Sequence, residues 1–251
     1  MIREHFVSEA ALKIVLELRR EHPGYGLRKL HRSLLAHSLS IGRDRLRNLL
    51  KVNGLLHKVK ARLYVRTTHS RHPFSLFPNA LKSLVITGPE QVWVSDTTCL
   101  SIDRRHYFLA VVTDAYSRKI MGWSLGERNT SELACTALEQ ALASREYPER
   151  ELIHHSDRGI QYCANAYRNL LRRAGLKISC TETGDPRENA IAERVFRTLK
   201  HEYGLRNPIR NLASALRLIL SIVARYNGSR MHAACGYRTP QYQHSSPTLR
   251  V

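Results

Sequence analysis

The first part of the chain repeats apolar residues at helical spacing in three consecutive segments. These segments are residues 8–24, 25–38 and 42–55. In the first, Ala11, Ile14, Val15 and Leu18 form one stripe, and leucines form the stripe in the other two. Three short helices with a basic last pair indicate a helix-turn-helix module over 1–56. A generic three-helix bundle with solvated basic faces fits the same pattern equally well.

Residues 57–84 interrupt the periodicity. The stretch is basic, contains scattered aromatic residues and shows no clear repeat. Such a composition predicts a linker between two domains, which either lies along DNA or acts as a disordered spacer.

Strand-like patterns dominate the remainder, and we assign residues 85–245 to a second, larger domain. Its predicted strands are residues 91–102, 106–116, 119–126, 151–159 and 177–180. Its predicted helices are residues 130–146, 162–175, 185–204 and 213–227. The first three strands are joined by short polar turns, which favours an antiparallel meander. The later alternation of strands and helices indicates an α/β fold with a mixed five-stranded sheet flanked by helices, with a C-terminal helical tail that is polar and rich in turn residues near its end.

Charge narrows the range of partners. The formal net charge is +19, and residues 1–88 hold 17 Lys and Arg against 5 Asp and Glu. A field of this sign favours a polyanionic partner, most commonly nucleic acid, although a merely basic protein is the alternative. No apolar run of about 18 residues or signal-peptide core is evident, so a cytoplasmic protein with no membrane partner is expected. The five cysteines lack the close pairing of a structural zinc site.

Three acids stand beside apolar structure rather than on a charged face. Asp96 lies inside the first predicted strand, Asp157 lies just past residues 152–156 of the fourth strand, and Glu193 lies on the helix after the sheet. Ionised carboxylates near a core are tolerated when they are paired or bind a metal. Oxygen ligands of this kind suit Mg²⁺, and a pair of such ions serves phosphoryl transfer. Asp114 is the rival acid, but its place between a strand and a turn favours a structural role.

The acids also have a characteristic spacing, with 35 residues between Asp157 and Glu193. The segments VWVSDTTCL, HSDRGIQY, GDPRENAIAERVFRTLKHE and RYNGSRMHAACGYRTPQ, in this order, resemble motifs of the insertion-sequence-three transposase family of the retroviral integrase superfamily. The residues before the catalytic part resemble the family's helix-turn-helix segment. Together these similarities cover roughly positions 20–243. Glu188 departs from the aspartate that is usual in the third motif, and only a minor effect is expected.

The resemblance implies an RNase H-like fold and a transposase that cleaves and transfers DNA strands with Mg²⁺, for which Mn²⁺ can substitute. It implies that Asp96, Asp157 and Glu193 are both catalytic and metal-binding. Our hypothesis is that Asp96 bridges two ions while each of the other two acids binds one. The implied partners are the terminal inverted repeats of the element, target DNA, further copies of the chain and a product of an upstream reading frame.

Further residues are candidates for DNA contact. Asn189, Arg197 and Lys200 share the helical face of Glu193, by analogy with integrases, although a solvated basic stripe is an equal alternative. Basic candidates in the first domain are Arg43, Arg45 and Arg47. Two other functions stay open at this point: a DNA-binding remnant without activity, and a nuclease of the same fold that acts on RNA–DNA hybrids.

Overall fold

The computed structural model describes residues 2–56, 77–182 and 189–246. It divides into two compact units, one comprising Met1–Arg66 with His201–Tyr203 and the other comprising Thr67–Lys200 with Gly204–Val251. Among the described residues, no helix combines the length and the apolarity needed to cross a membrane.

The first unit contains the three N-terminal helices that the periodicity predicts. They are α1 (Ile2–Glu21), α2 (Leu27–Ala36) and α3 (Arg43–Val52). Their apolar stripes meet in a common core, in which Val15, Leu30, Leu34 and Leu46 are buried. The first helix begins earlier than its apolar stripe predicts, because residues 2–7 continue the same helix.

A five-stranded sheet organises the second unit, and its topology confirms the predicted mixed sheet. Its strands are β1 (Val92–Ile102), β2 (Arg105–Asp114), β3 (Ile120–Gly126), β4 (Ile153–Ser156) and β5 (Lys177–Cys180). The spatial order is β3-β2-β1-β4-β5. The first three strands pair antiparallel, whereas β1–β4 and β4–β5 pair parallel. The hairpin between β1 and β2 turns at Asp103 and Arg104, which both have positive φ.

Helices cover both faces of this sheet. They are α4 (Ser131–Ala143), α5 (Ile160–Cys163), α6 (Asn165–Arg173), α7 (Ala190–His201), α8 (Leu212–Gly228) and α9 (Pro240–Ser245). On one face, α4 and α6 pack with Trp93 and Val112 around a large apolar core. On the opposite face, Ala192 of α7 packs against Val92 and Val94. Successive strand residues point to opposite faces, so this alternation defines which side of β1 each residue occupies.

The structure differs from the predicted boundaries in two places, each for a local reason. The predicted helix over 162–175 is split into α5 and α6, because Ala164 adopts an extended backbone. The turn-rich tail contains α9, since the hydroxyl of Thr239 accepts from the N–H of Tyr242 and Pro240 occupies the first turn. Glu188, which departs from the usual aspartate of the third motif, lies outside the described residues.

Part of the predicted linker is attached to the sheet. The N–H of Ala80 donates to Ser179 Oγ at 3.0 Å, and the N–H of Asn79 donates to Glu182 Oε1 at 3.2 Å. Residues 57–76 of that linker lie outside the described residues. Its path along DNA and its alternative role as a spacer therefore stay predictions.

A buried polar network fastens α9 to the sheet. Glu90, Asp114, Ser117 and His244 are all fully buried. His244 lies between the two acids, with Nε2 3.3 Å from Glu90 Oε1 and Nδ1 3.0 Å from Ser117 Oγ, which itself donates to Asp114. Arg145 Nε donates to Glu90 Oε2 at 2.9 Å. The backbone N–H groups of Glu90 and Ser117 also donate to Asp114, which confirms its predicted structural role.

The ionisation of this network follows from its contacts. Burial alone raises the pKa of Glu90, but hydrogen bonds from His244, Arg145 and a backbone N–H outweigh burial and lower the pKa to about 2. Burial likewise lowers the pKa of His244, but Asp114 and Glu90 outweigh burial and raise the pKa above its usual value. The contacts of the network therefore favour the protonated form of the His244 imidazole.

A close approach of α4 to β3 is possible only because residue 122 is glycine. A Cβ at this position would overlap the carbonyl oxygen of Ala137 and lie 2.6 Å from the backbone nitrogen of Ala141. We expect Gly122→Ala to lower the free energy of unfolding by about 3 kcal/mol, as for overpacked cores. Urea unfolding of the purified chain measures this change. Gly228→Ala is the matched control, since no atom lies within 4 Å of its added Cβ; equal stability of the two variants would contradict the packing argument.

The buried network predicts a pH-dependent contribution to stability. Folding raises the pKa of His244, so protonation of this residue stabilises the native state fully at pH values below its pKa in the unfolded chain. This stabilisation is lost as the pH rises through the raised pKa of the folded state. The Glu90 contribution is instead lost as pH falls towards 2. We expect His244→Gln to cost on the order of 3 kcal/mol near pH 6 and less near pH 9, because it removes the positive imidazole between Asp114 and Glu90, of which Glu90 retains Arg145. Urea unfolding at both pH values measures the difference, and exposed His106→Gln is the control. An equal cost at both pH values would contradict the charged pairing.

Candidate active site

The parallel pairing of β1 and β4 brings two of the predicted acids side by side. Ser95 and Ser156 are register partners in this pair. Asp96 follows Ser95 within β1, and Asp157 follows Ser156 directly after the end of β4, so both acids come next after the last register pair of the two parallel strands. The pairing of the two strands therefore brings together two acids that are far apart in the sequence.

The surroundings of Asp96 fix its side chain. It lies two residues beyond Val94 on the face that α7 covers. Its Oδ1 accepts from the N–H of Thr97 at 2.7 Å. The Asp157 carboxylate accepts from the N–H of Gly159 at 3.0 Å, which holds the turn after β4. Both side chains are partly exposed.

The third acid is supplied by α7. Asn189, just before this helix, is buried, and its Nδ2 donates to the carbonyl oxygen of Ser95 at 3.2 Å. Ala192 packs against the strand residues on the same face. Glu193 is the next residue and is exposed. These two contacts hold the first turn of α7 against the segment of β1 that carries Asp96.

Electrostatics confirm that the three acids influence one another. Removal from water, and then repulsion from Asp157 and Glu193, raise the pKa of Asp96 to about 8, against the opposing effects of the Thr97 N–H and Lys200. Burial lowers the pKa of Lys200, while the charge of Asp96 partly opposes that shift. The site therefore gathers more negative charge than its own cations balance.

The side chains do not stand in a ready-made ligand arrangement. Among the described residues, no group of three or more His, Cys, Asp and Glu side chains is close enough to hold a metal ion. The structure thus places the predicted acids in one neighbourhood without bringing their oxygens to a common point.

Comparison with known proteins identifies the family to which the chain belongs. Residues 86–186 match a family model described as integrase core domain, and residues 174–240 match a second model of the same description. An uncharacterized 31 kDa protein of insertion element IS600 in Shigella sonnei is 37% identical over 93% of this chain and 86% of its own length. The transposase InsF for insertion sequence IS3A of Escherichia coli K12 is 32% identical over 95% of this chain and 83% of its own length. The chain belongs to the IS3 family of transposases.

A solved structure supports the fold of the transposase. A chain of the simian T-cell lymphotropic virus intasome, in complex with PP2A regulatory subunit B56 gamma, superposes with a TM-score of 0.55 at 19% identity. The match covers 88% of this chain and 72% of that chain. The predicted RNase H-like sheet, preceded by helices, is confirmed, as is the resemblance to the insertion-sequence family.

The remaining candidates for DNA contact differ in accessibility. Arg197 is exposed on α7, one turn beyond Glu193, and Lys200 is half-buried near Asp96. The contact of Asn189 with Ser95 favours a role in positioning α7 over a contact with DNA. In the first unit of the transposase, the three candidate arginines of α3 are exposed.

The polar neighbours of Asp157 are engaged within the fold. Burial and the neighbouring His155 lower the pKa of His154 to about 3, so this imidazole is neutral. His155 Nδ1 lies 2.8 Å from Ser179 Oγ. The Arg158 guanidinium donates to the carbonyl oxygens of Thr181 and Glu182. These contacts show that the two histidines hydrogen-bond beside the acid.

Proposed function

We propose that this transposase cleaves and transfers DNA strands by Mg²⁺-dependent phosphoryl transfer, with Asp96, Asp157 and Glu193 as the metal-binding residues. The observation that carries this proposal is the placement of the two aspartates at the same end of the β1–β4 pair, with the first turn of α7 held against β1. The reaction class follows from the family, in which the integrase core is a polynucleotidyl transferase.

The residues present fit a divalent cation of this kind. All three donors are carboxylates, and Mg²⁺ prefers oxygen ligands. Burial, and then repulsion from Asp157 and Glu193, raise the pKa of Asp96, and a bound cation would offset both effects by stabilising the charged carboxylate. Glu193 is exposed and Asp157 is partly exposed, so a cation from solvent can reach both acids. Mn²⁺, which takes similar ligands, is expected to substitute.

Each part of the site then has a definite task. Bound Mg²⁺ supplies an activated oxygen nucleophile and stabilises the charge of the leaving oxygen. Asp96, held by the Thr97 N–H, gives the site a fixed oxygen donor. Metal binding requires its deprotonated form, so affinity is expected to rise with pH through about 8. Lys200 and Arg197 lie beside the acids, where they would contact DNA phosphates.

Replacement of Asp157 tests the assignment. We expect Asp157→Asn to reduce Mg²⁺-dependent nicking of a duplex carrying the element's ends by at least about 100-fold, because the site loses a charged ligand. DNA affinity, measured by fluorescence anisotropy, should stay within about twofold, since phosphate contacts by Lys and Arg dominate binding.

Asp103→Asn is the matched control, because it makes the same chemical change at an exposed hairpin turn. Full strand transfer by the Asp157 variant would overturn the assignment. Absence of activity in the unaltered chain, with DNA binding intact, would instead favour a DNA-binding remnant, and preferential cleavage of RNA–DNA hybrids would favour a nuclease.

We infer a second contribution to DNA binding from α3. Its residues Arg43, Arg45 and Arg47 are exposed, while Leu46 and Leu50 of the same helix are buried. The helix therefore buries one side and exposes a basic one, as a helix that contacts DNA does. Paired ends and target DNA are the expected substrates, and the named assembly of the structural neighbour, an intasome, supports action as a multimer.

Salt dependence tests this contribution. We expect replacement of the three α3 arginines by Ala to weaken DNA binding and to reduce the slope of log affinity against log salt by about 1 for each phosphate that the variant no longer binds. Replacement of Lys13 and Arg20, which are exposed on α1, is the control within the same unit. An unchanged slope in the α3 variant would show that this helix does not bind phosphates.

A further inference from the structure

Two hydroxyl residues flank Asp96 along β1. Neighbouring strand residues point to opposite faces, so Ser95 and Thr97 both face away from α7 and towards the core under α6. Ser95 Oγ lies 2.7 Å from His154 Nε2, and Thr97 Oγ1 lies 3.0 Å from the Tyr162 hydroxyl. The residue on each side of Asp96 is therefore hydrogen bonded to an aromatic residue beneath the sheet.

The aromatic partners form one packed group. The ring centroids of Tyr162 and Tyr167 are 5.3 Å apart, and those of Tyr167 and His154 are also 5.3 Å apart. The Tyr167 hydroxyl lies 2.8 Å from His154 Nε2. All three side chains are buried. We call Ser95, Thr97, His154, Tyr162 and Tyr167 the backing layer.

The chain connects the backing layer to the second acid on both sides. His154 precedes Asp157 by three residues within β4, and Tyr162 follows it by five residues in α5. The turn that carries Asp157 is thus hydrogen bonded to β1 before the acid, through Ser95, and after it, through Thr97. Because the same two β1 residues flank Asp96, the layer relates the two aspartate positions directly.

The Tyr162 hydroxyl has a specific part in this arrangement. Its ring belongs to the large apolar core, and phenylalanine would fill that space equally well. A buried hydroxyl is costly without a partner, and Thr97 is the partner that this one has. Besides the packing of the ring, the hydroxyl therefore provides a directional hydrogen bond between α5 and the strand that carries Asp96.

We propose that Tyr162, through its hydrogen bond to Thr97, is a positioning residue that sets the separation of Asp157 from Asp96 and thereby the affinity of this acid pair for a divalent cation. The inference rests on the proposed function, since it takes the two aspartates as metal ligands. Partners one shell away from a metal commonly change its affinity by roughly 10–100-fold when they are removed.

The test uses Mn²⁺ binding to the full chain, followed by the EPR signal of free Mn²⁺, together with Mg²⁺ titration of strand cleavage. We expect Tyr162→Phe to weaken Mn²⁺ binding by about tenfold and to raise the half-saturating Mg²⁺ concentration similarly. The rate at saturating metal should recover to within about threefold of the unaltered chain, because the acids themselves are retained. Thermal unfolding establishes that the variant is folded at the assay temperature.

Two further variants make the test specific. Thr97→Val removes the other half of the same bond, so it should reproduce the effect, and the double variant should be no weaker than either single one. Tyr147→Phe is the matched control, because its hydroxyl donates to the carbonyl oxygen of His244 at 3.0 Å, away from the acids. If Tyr162→Phe is unfolded, Thr97→Val alone decides.

The outcomes separate this inference from the proposed function. Unchanged Mn²⁺ affinity in folded Tyr162→Phe or Thr97→Val overturns the positioning role, and so does an equal loss in Tyr147→Phe. If Asp157→Asn still abolishes Mn²⁺ binding in that case, the metal-site proposal stands. If Asp157→Asn binds Mn²⁺ and cleaves DNA as the unaltered chain does, the metal-site proposal fails and this inference fails with it.

Discussion

The parallel pairing of β1 with β4 is the constraint on which the rest of the site depends. One register places Ser95 beside Ser156, and the acids follow one residue later on each strand. A shift of this register by one residue would turn every side chain of β4 to the other face, separating Asp157 from Asp96. Because β4 has only four residues, its own ladder is short, and side-chain contacts with neighbouring elements contribute to the fixed register.

Two groups of carboxylates in the transposase have opposite electrostatic surroundings. Around His244, the fold supplies its own positive partners, and the pKa of Glu90 falls to about 2. At Asp96 in β1, removal from water and then repulsion from nearby acids outweigh the Thr97 N–H and Lys200, and the pKa rises to about 8. Carboxylates whose charge is balanced by cations of the chain stabilise the structure. Carboxylates without such partners destabilise it unless a bound cation balances their charge. Within one sheet, one group of carboxylates is therefore balanced by cations of the chain and the other is not.

The sequence permits prediction of those features that have a local period or a local motif. The strands, the main helices and the placement of the three acids follow from alternation, helical spacing and the order of motifs. Contacts between distant residues have no such signal. The pairing of Glu90 with His244 spans 154 positions, and the break at Ala164 occurs at a residue that ordinarily favours helix. Asn189 shares a helical face with Glu193, yet its amide is turned to Ser95, which only the packing of α7 determines.

Repulsion among the acids explains why the fold brings them near one another but not to a common point. Three carboxylates in ligand contact would repel strongly in a partly dry site, so a chain without a cation gains by keeping their oxygens apart. The backbone nevertheless has to hold them within reach, and this restraint must come from uncharged contacts on the opposite face of the sheet. The hydroxyl and aromatic residues beneath β1 are contacts of that kind, because their hydrogen bonds add no charge to the site. The contacts beneath β1 therefore support the segment that carries Asp96 without adding charge beside the acids.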